Sequence, residues 1–289
     1  MTVVDVGIRL VLGLVIGFCI GLTGVGGGVL VLPALTVVLG LPPSVAVGTA
    51  SLYAFITKIV ASYSHHRLGN VHWRAVGLTL VGAVPACLGV AWYVNWTLDR
   101  LKGSAEATAA FQAGQGLLLA VVVLGAAAYM IVQEIRHRLR PRDPVDESAA
   151  EEFTAVPVAE HHGNPALAIA GGLLIGALIG ATSVGGGVIL VPLLFAIFHT
   201  TPRRTVGTSI VVALFLTLVT ALVYGTGGQL DWATGLVMGA AAFLGARLGA
   251  KYTSKMPQDL LRMILAGIVV FSGVLMVVKM VWGGQMPGH

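Results

Sequence analysis

The sequence predicts an all-α polytopic membrane protein made of two inverted-topology repeats of about five helical segments each, with glycine-broken short helices at the start of each repeat. Three observations predict it. The 289-residue chain is 56% hydrophobic and only 10% charged, with a mean hydropathy of +0.91; a soluble domain carries roughly 25% charged residues. One glycine-rich stretch occurs twice. The basic loops change sides between the two copies.

The apolar runs approach the ~20 residues that span a bilayer. In lipid the backbone must satisfy its own hydrogen bonds, so these runs are helices. They lack the alternation of apolar and polar residues that barrel strands show. The duplicated stretch reads Gly21-Leu-Thr-Gly-Val-Gly-Gly-Gly-Val-Leu-Val-Leu-Pro-Ala-Leu35 and Gly180-Ala-Thr-Ser-Val-Gly-Gly-Gly-Val-Ile-Leu-Val-Pro-Leu-Leu194, identical at nine of fifteen positions with an offset of 159. The same offset pairs Pro43 with Pro202, Val47-Gly48-Thr49 with Val206-Gly207-Thr208, Gly69 with Gly228 and Trp73 with Trp232.

The first repeat, 1–135, holds runs at about 6–22, 27–40, 46–63, 73–96 and 112–133. A polar cytoplasmic linker, 136–164, is Arg/Pro-rich and then acidic, a composition that stays solvated. The second repeat, 165–289, holds runs near 166–182, 186–198, 205–224, 232–253 and 260–282. The first two runs of each repeat read as short, and Pro33 and Pro192 weaken the second. Two geometries fit them: two tilted short helices that each cross, or a re-entrant hairpin with the glycines at its tip, which is preferred.

Cytoplasmic loops are rich in Lys and Arg. The His65–Arg74 loop is basic and hence inside; its copy, Tyr224–Asp231, has neither and is outside. The uncharged Gly40–Ser44 loop is outside, and its copy carries Arg203 and Arg204 and is inside. Each loop thus flips between repeats, which are related by a pseudo-two-fold axis in the membrane plane. Both termini fall outside the cytoplasm.

The net charge of +5 is spread over loops and makes no basic stripe for nucleic acid. Cys19 and Cys87 sit singly in apolar runs and read as packing residues. No metal-ligand spacing and no cofactor motif is present; His65, His66 and His72 read as a solvated loop. The first apolar run lacks a basic leader and a cleavage site and reads as a retained helix. No nucleophile, paired acid and base or metal cluster in the runs supports an enzyme.

Consecutive glycines let a backbone approach a ligand closely. Here they precede helices, whose N-termini offer free amides and a positive dipole end. Thr23, Gly24, Gly26, Gly27 and Gly28, with Thr182, Ser183, Gly185, Gly186 and Gly187, are therefore the candidate substrate-binding residues. The competing reading is close helix packing by small residues. Thr49 and Ser51, and Thr208 and Ser209, stand at helix starts as caps or ligand donors. Lys58 is an intramembrane cation able to attract an anion, and also within snorkelling reach of the inner face, as is Arg247. Tyr53, Tyr63 and Tyr224 read as interface anchors or packing residues, and the five Trp residues as an aromatic belt. No Asp or Glu lies deep in a run, which fits an anionic substrate.

The Gly24-Val-Gly-Gly-Gly-Val-Leu-Val-Leu-Pro33 and Ser183-Val-Gly-Gly-Gly-Val-Ile-Leu-Val-Pro192 elements resemble those of the TauE/SafE family, the sulfite exporter or four-toluene-sulfonate-uptake permeases. So do Ala46–Ser51, Thr205–Ser209 and the small-residue helix Gly239–Gly249. The resemblance implies a secondary permease for sulfite, organosulfonates or related anions in a bacterial or archaeal plasma membrane. The alternatives are a passive anion channel and a permease for another small organic anion. The partners expected are the anion, membrane lipid and a coupling ion, proton or sodium; a homo-oligomer is compatible with the sequence.

Overall fold

The structure is a computed structural model that describes residues 3–23, 28–139, 164–184, 187, 189–253, 267, 270, 273–275 and 278. The described residues form helices: α1 (Val3–Thr23), α2 (Gly28–Pro33, continued as a π-helical turn over Ala34–Val38), α3 (Pro43–Arg67), α4 (Trp73–Leu101), α5 (Ala105–Leu139), α6 (Pro165–Thr182), α7 (Leu190–Phe198), α8 (Pro202–Thr226) and α9 (Trp232–Thr253). Seven of them, α1, α3, α4, α5, α6, α8 and α9, are long and apolar enough to cross a membrane. The chain is a multi-pass membrane protein.

The local chemistry sets these bounds. Pro42 and Thr201 hold extended conformations (ψ 147° in both), and the prolines that follow begin α3 and α8, where a missing amide costs nothing. Gly69 and Gly228 close the same helices with φ of 68° and 70°, a left-handed geometry that glycine takes without strain. Asn164 caps α6 by accepting from the Ala166 amide. Pro33 lies five residues into α2, and the helix widens into its π turn immediately after it. Pro192 falls in the first turn of α7, where no such break is needed.

The first run of each repeat is not the short helix expected. α1 has 21 residues and α6 has 18, about 31 and 27 Å, enough to cross. Only the second run is short. The eleven residues of Gly28–Val38 reach about 17 Å and cannot span a ~30 Å core. Other bounds also shift. α5 is extended at both ends, and its last turn takes up the start of the expected linker, to Leu139. The rest of the linker, 140–163, and most of the expected run at 260–282 lie outside the described residues.

Packing is reciprocal between the repeats. α1 lies along α9, and α4 along α6; α3 crosses α8. Small residues permit the close approach. A β-carbon at Gly13, Gly17 or Gly21 of α1 would strike the carbonyl of Met238, Ala242 or Ala246 on α9. One at Gly172, Gly176 or Gly180 of α6 would strike Thr79, Ala83 or Cys87 of α4. These six contacts are the same three, displaced by 159. The first half of α4 contributes to a core with α6, α7 and α8, while its end (Ala91, Val94 and Leu98) joins Met238 and Ala242 of α9 in a core with α1, α2, α3 and α5.

Candidate functional site

Two hydrogen bonds join the repeats at the Val-Gly-Thr elements. The Thr208 hydroxyl oxygen accepts from the His72 amide at 3.0 Å, and that of Thr49 accepts from the Asp231 amide at 3.0 Å. His72 and Asp231 cap α4 and α9, accepting from Ala75 and Thr234. The preceding glycines make room: a β-carbon at Gly48 would strike the Gln229 carbonyl, and one at Gly207 that of Asn70. Gly48 also faces the Tyr224 side chain, and Gly207 that of His65. The beginning of α3 therefore meets the end of α8, and the beginning of α8 meets the end of α3; the two equivalent helices run antiparallel. The Thr208 proton is spent on the Arg204 carbonyl, at 2.7 Å. Ser209 is buried, and its hydroxyl donates to Val206 of its own helix at 2.8 Å.

The glycine elements lie at the depth where α1 and α6 end. Gly180 rests on Cys87, midway along α4. Cys87 is about 21 Å along α4 from Trp73 and about 14 Å before Trp96. Trp73, Trp92 and Trp96 are all exposed, and with Cys87 about 8 Å before Trp92, the end of α6 lies between these aromatic levels, nearer that of Trp92. Gly28, the first residue of α2, abuts the turn after α6: a β-carbon there would lie 2.6 Å from the Ser183 carbonyl oxygen. The start of one glycine-broken helix thus touches the break in the other.

Ser183 is buried, and its backbone is left-handed (φ 57°, ψ 4°). A side chain there costs about 1–2 kcal/mol; the corresponding residue of repeat one is Gly24. Ser183 Oγ is hydrogen-bonded to Ser51 Oγ of α3 at 2.8 Å. Ser51 also reaches the Val47 carbonyl at 2.8 Å. Thr182 is consumed locally, donating to Leu178 at 2.6 Å and accepting from the Val184 amide at 3.2 Å. Lys58 is half-buried on α3, seven residues and so nearly two full turns beyond Ser51 on the same face. Gly187 is described as part of a turn; Gly24, Gly26, Gly27, Gly185 and Gly186, and the Thr23 side chain, lie outside the described residues.

Two tyrosines that the sequence left between interface anchor and packing residue are buried. Tyr224 is buried and donates to the Gly180 carbonyl at 3.0 Å, while Gln115 Nε2 of α5 donates to the Tyr224 oxygen at 3.4 Å. Tyr53 is 1% exposed. Aromatic side chains in an apolar run signal interface or core equally well, so no pattern in the sequence could separate them from Tyr63, which is exposed.

A helical membrane bundle with two broken helices meeting between its aromatic levels is the architecture of a membrane transporter. The chain belongs to the sulfite exporter TauE/SafE family, whose model matches residues 9–276. It is 27% identical over 270 residues to a probable membrane transporter protein, YjnA, of Bacillus subtilis, covering 93% of this chain and 98% of that one. A probable membrane transporter protein of Haemophilus influenzae is 25% identical over 289 residues, covering 93% and 97%. Another, MJ0441 of Methanocaldococcus jannaschii, is 24% identical over 282 residues, covering 92% and 93%. No solved structure matches the chain.

Proposed function

We propose that the chain is a secondary transporter of small sulfur-containing oxyanions, sulfite or organosulfonates, working by alternating access between two repeats of inverted topology. The observation that carries this reading is the meeting of Gly28 with Ser183 beside Ser51, between the aromatic levels. A solute there is held between the repeats, where inverted-repeat carriers keep their sites. The antiparallel course of α3 and α8 supports the inversion. The family to which the chain belongs supports the substrate class.

The anion is coordinated by the backbone amides of Gly26–Gly28 and Gly185–Gly187 and by the Ser51–Ser183 hydroxyl pair. That pair is adaptable. When Ser51 turns its proton from the Val47 carbonyl to Ser183, the Ser183 proton is released for the anion. Lys58 supplies positive potential along the same face of α3. Thr49, Thr208, Thr182 and Ser209 hold the frame, since their hydroxyls are engaged with backbone. Rocking of one repeat against the other exposes the site to each side in turn, in the plasma membrane of a bacterium or archaeon, with both termini outside the cytoplasm.

Counterflow tests the reading. Proteoliposomes preloaded with sulfite, sulfoacetate, taurine, thiosulfate or sulfate are given labelled sulfite. Entry accelerated by a sulfur oxyanion on the far side is the expected result. Entry above empty liposomes that no preload accelerates identifies a channel instead. No entry above empty liposomes, from folded protein, overturns the sulfur-anion assignment.

A further inference from the structure

Gln115 of α5 reaches the carbonyl end of α6 through Tyr224 of α8. A helix end of this kind holds carbonyls without helical partners and the negative end of the dipole. In α6 the Val184 amide, due on the Gly180 carbonyl by helical spacing, donates instead to Thr182 Oγ1 at 3.2 Å. The Tyr224 hydroxyl takes its place, donating to that carbonyl at 3.0 Å. With its one proton spent, Tyr224 can only accept from Gln115. The Gln115 amide therefore turns Nε2 toward Tyr224, at 3.4 Å, and presents Oε1 as an acceptor. Gln115 is 7% exposed, and Oε1 is buried with no hydrogen-bond partner among the described residues. An acceptor left so costs about 1–3 kcal/mol, and leucine would fill much the same space without that cost.

The oxygens gathered here are neutral acceptors: Gln115 Oε1, the Tyr224 hydroxyl and the Gly180 carbonyl. The Tyr224 and Thr182 protons are spent on the Gly180 and Leu178 carbonyls. α6 and α8 contain no Asp or Glu, and Glu106 of α5 is about two and a half turns from Gln115. The set thus holds no base to take up a proton, and no carboxylate of the kind that calcium and magnesium sites use. Neutral oxygens at the negative end of a helix suit a monovalent cation, and the carbonyl ends of broken transporter helices coordinate sodium. Gly180 stands three residues before Ser183, so a cation here lies within about one turn of the anion site. We propose that the carbonyl end of α6, with Gln115 Oε1 and Tyr224, binds a sodium ion that is carried together with the anion. This rests on the transport reading above and supplies its coupling ion. The cation offsets the charge of the anion, and its field raises the affinity for it.

Thermal unfolding of the purified protein in NaCl, KCl or choline chloride, and counterflow of labelled sulfite in the same salts, test the site in wild type, Gln115→Leu and Gln115→Glu. The expected wild-type Tm rises saturably with Na+ and not with K+ or choline, and Na+ lowers the sulfite KM about tenfold. Gln115→Leu keeps its Tm in choline and loses both responses. Gln115→Glu keeps an acceptor oxygen and adds a titratable charge, so its half-saturating Na+ falls as pH rises, which a purely structural amide does not predict. If Gln115→Leu does not fold, Gln115→Glu decides: half-saturating Na+ equal to that of wild type at every pH overturns the proposal. Wild-type Tm and KM that are the same in Na+ and choline also overturn it, while counterflow in choline leaves the transport reading standing. A sodium response that survives in Gln115→Leu overturns the site, and equal responses to K+ and Na+ overturn sodium as the ion. Stabilisation by Na+ that Gln115→Leu abolishes, in a protein that exchanges neither sulfite nor a sulfonate, upholds the cation site and overturns the sulfur-anion reading.

Discussion

Ser183 Oγ lies 2.8 Å from Ser51 Oγ, and neither serine has a serine counterpart at the matching position of the other repeat, where Gly24 and Ile210 stand. The pair is a departure from symmetry at the point where the two broken helices touch. Ser183 keeps a left-handed backbone that glycine would take more readily, so its side chain is retained at a cost. Strained residues of this kind collect at functional sites.

Ser183→Gly separates backbone from hydroxyl. Relief of the left-handed strain raises stability by about 1 kcal/mol, while loss of one donor to the anion weakens binding about tenfold. Ser183→Ala keeps the strain and loses the donor, so it lowers affinity equally with no gain in stability. Tm and the counterflow KM of both variants check this.

Thr49→Val and Thr208→Val remove the acceptors that join the repeats. Each lowers stability by about 1 kcal/mol, and the two effects add, because the bonds lie at opposite ends of α3 and α8. KM stays within twofold of wild type. A large rise in KM at unchanged stability would instead make these threonines substrate ligands.

Gly17→Val and Gly176→Val drive a side chain into the Ala242 and Ala83 carbonyls. Both abolish the folded protein, seen as loss of the monodisperse peak in size-exclusion chromatography. Gly77 and Gly89 are helical and exposed, with nothing within 4 Å of an added β-carbon. Alanine at either leaves stability unchanged or raises it by up to about 1 kcal/mol.

Lys58→Met tests the long-range field. A charge about 10 Å from the anion contributes about 1.7 kcal/mol at an effective dielectric near 20, so KM rises about tenfold. Lys58→Arg restores most of that loss. Equal transport by Lys58→Met and wild type would leave Lys58 a snorkelling residue.

The repeats were legible because duplication is read directly from the chain. The glycine breaks were legible because Gly-rich runs stand out in apolar helices. The bounds of α6 were legible to within one residue, whereas α1 begins three residues before its apolar run, at Val3, because the polar Asp5 hides its first turn. The Val-Gly-Thr elements were visible, yet their partners, His72 and Asp231, differ chemically. What the two share is a backbone amide, which no side-chain pattern records.

The most direct test of the central claim is labelling of a single cysteine at Ser183, in a chain whose Cys19 and Cys87 are replaced by alanine. N-ethylmaleimide is applied to proteoliposomes of mixed orientation, with and without sulfoacetate, which does not react with it. A site shared by the two broken helices predicts slow labelling that sulfoacetate suppresses in a saturable way, at the concentration that half-saturates counterflow. Labelling unaffected by sulfoacetate, in a variant that still transports it, would contradict a substrate site at Ser183.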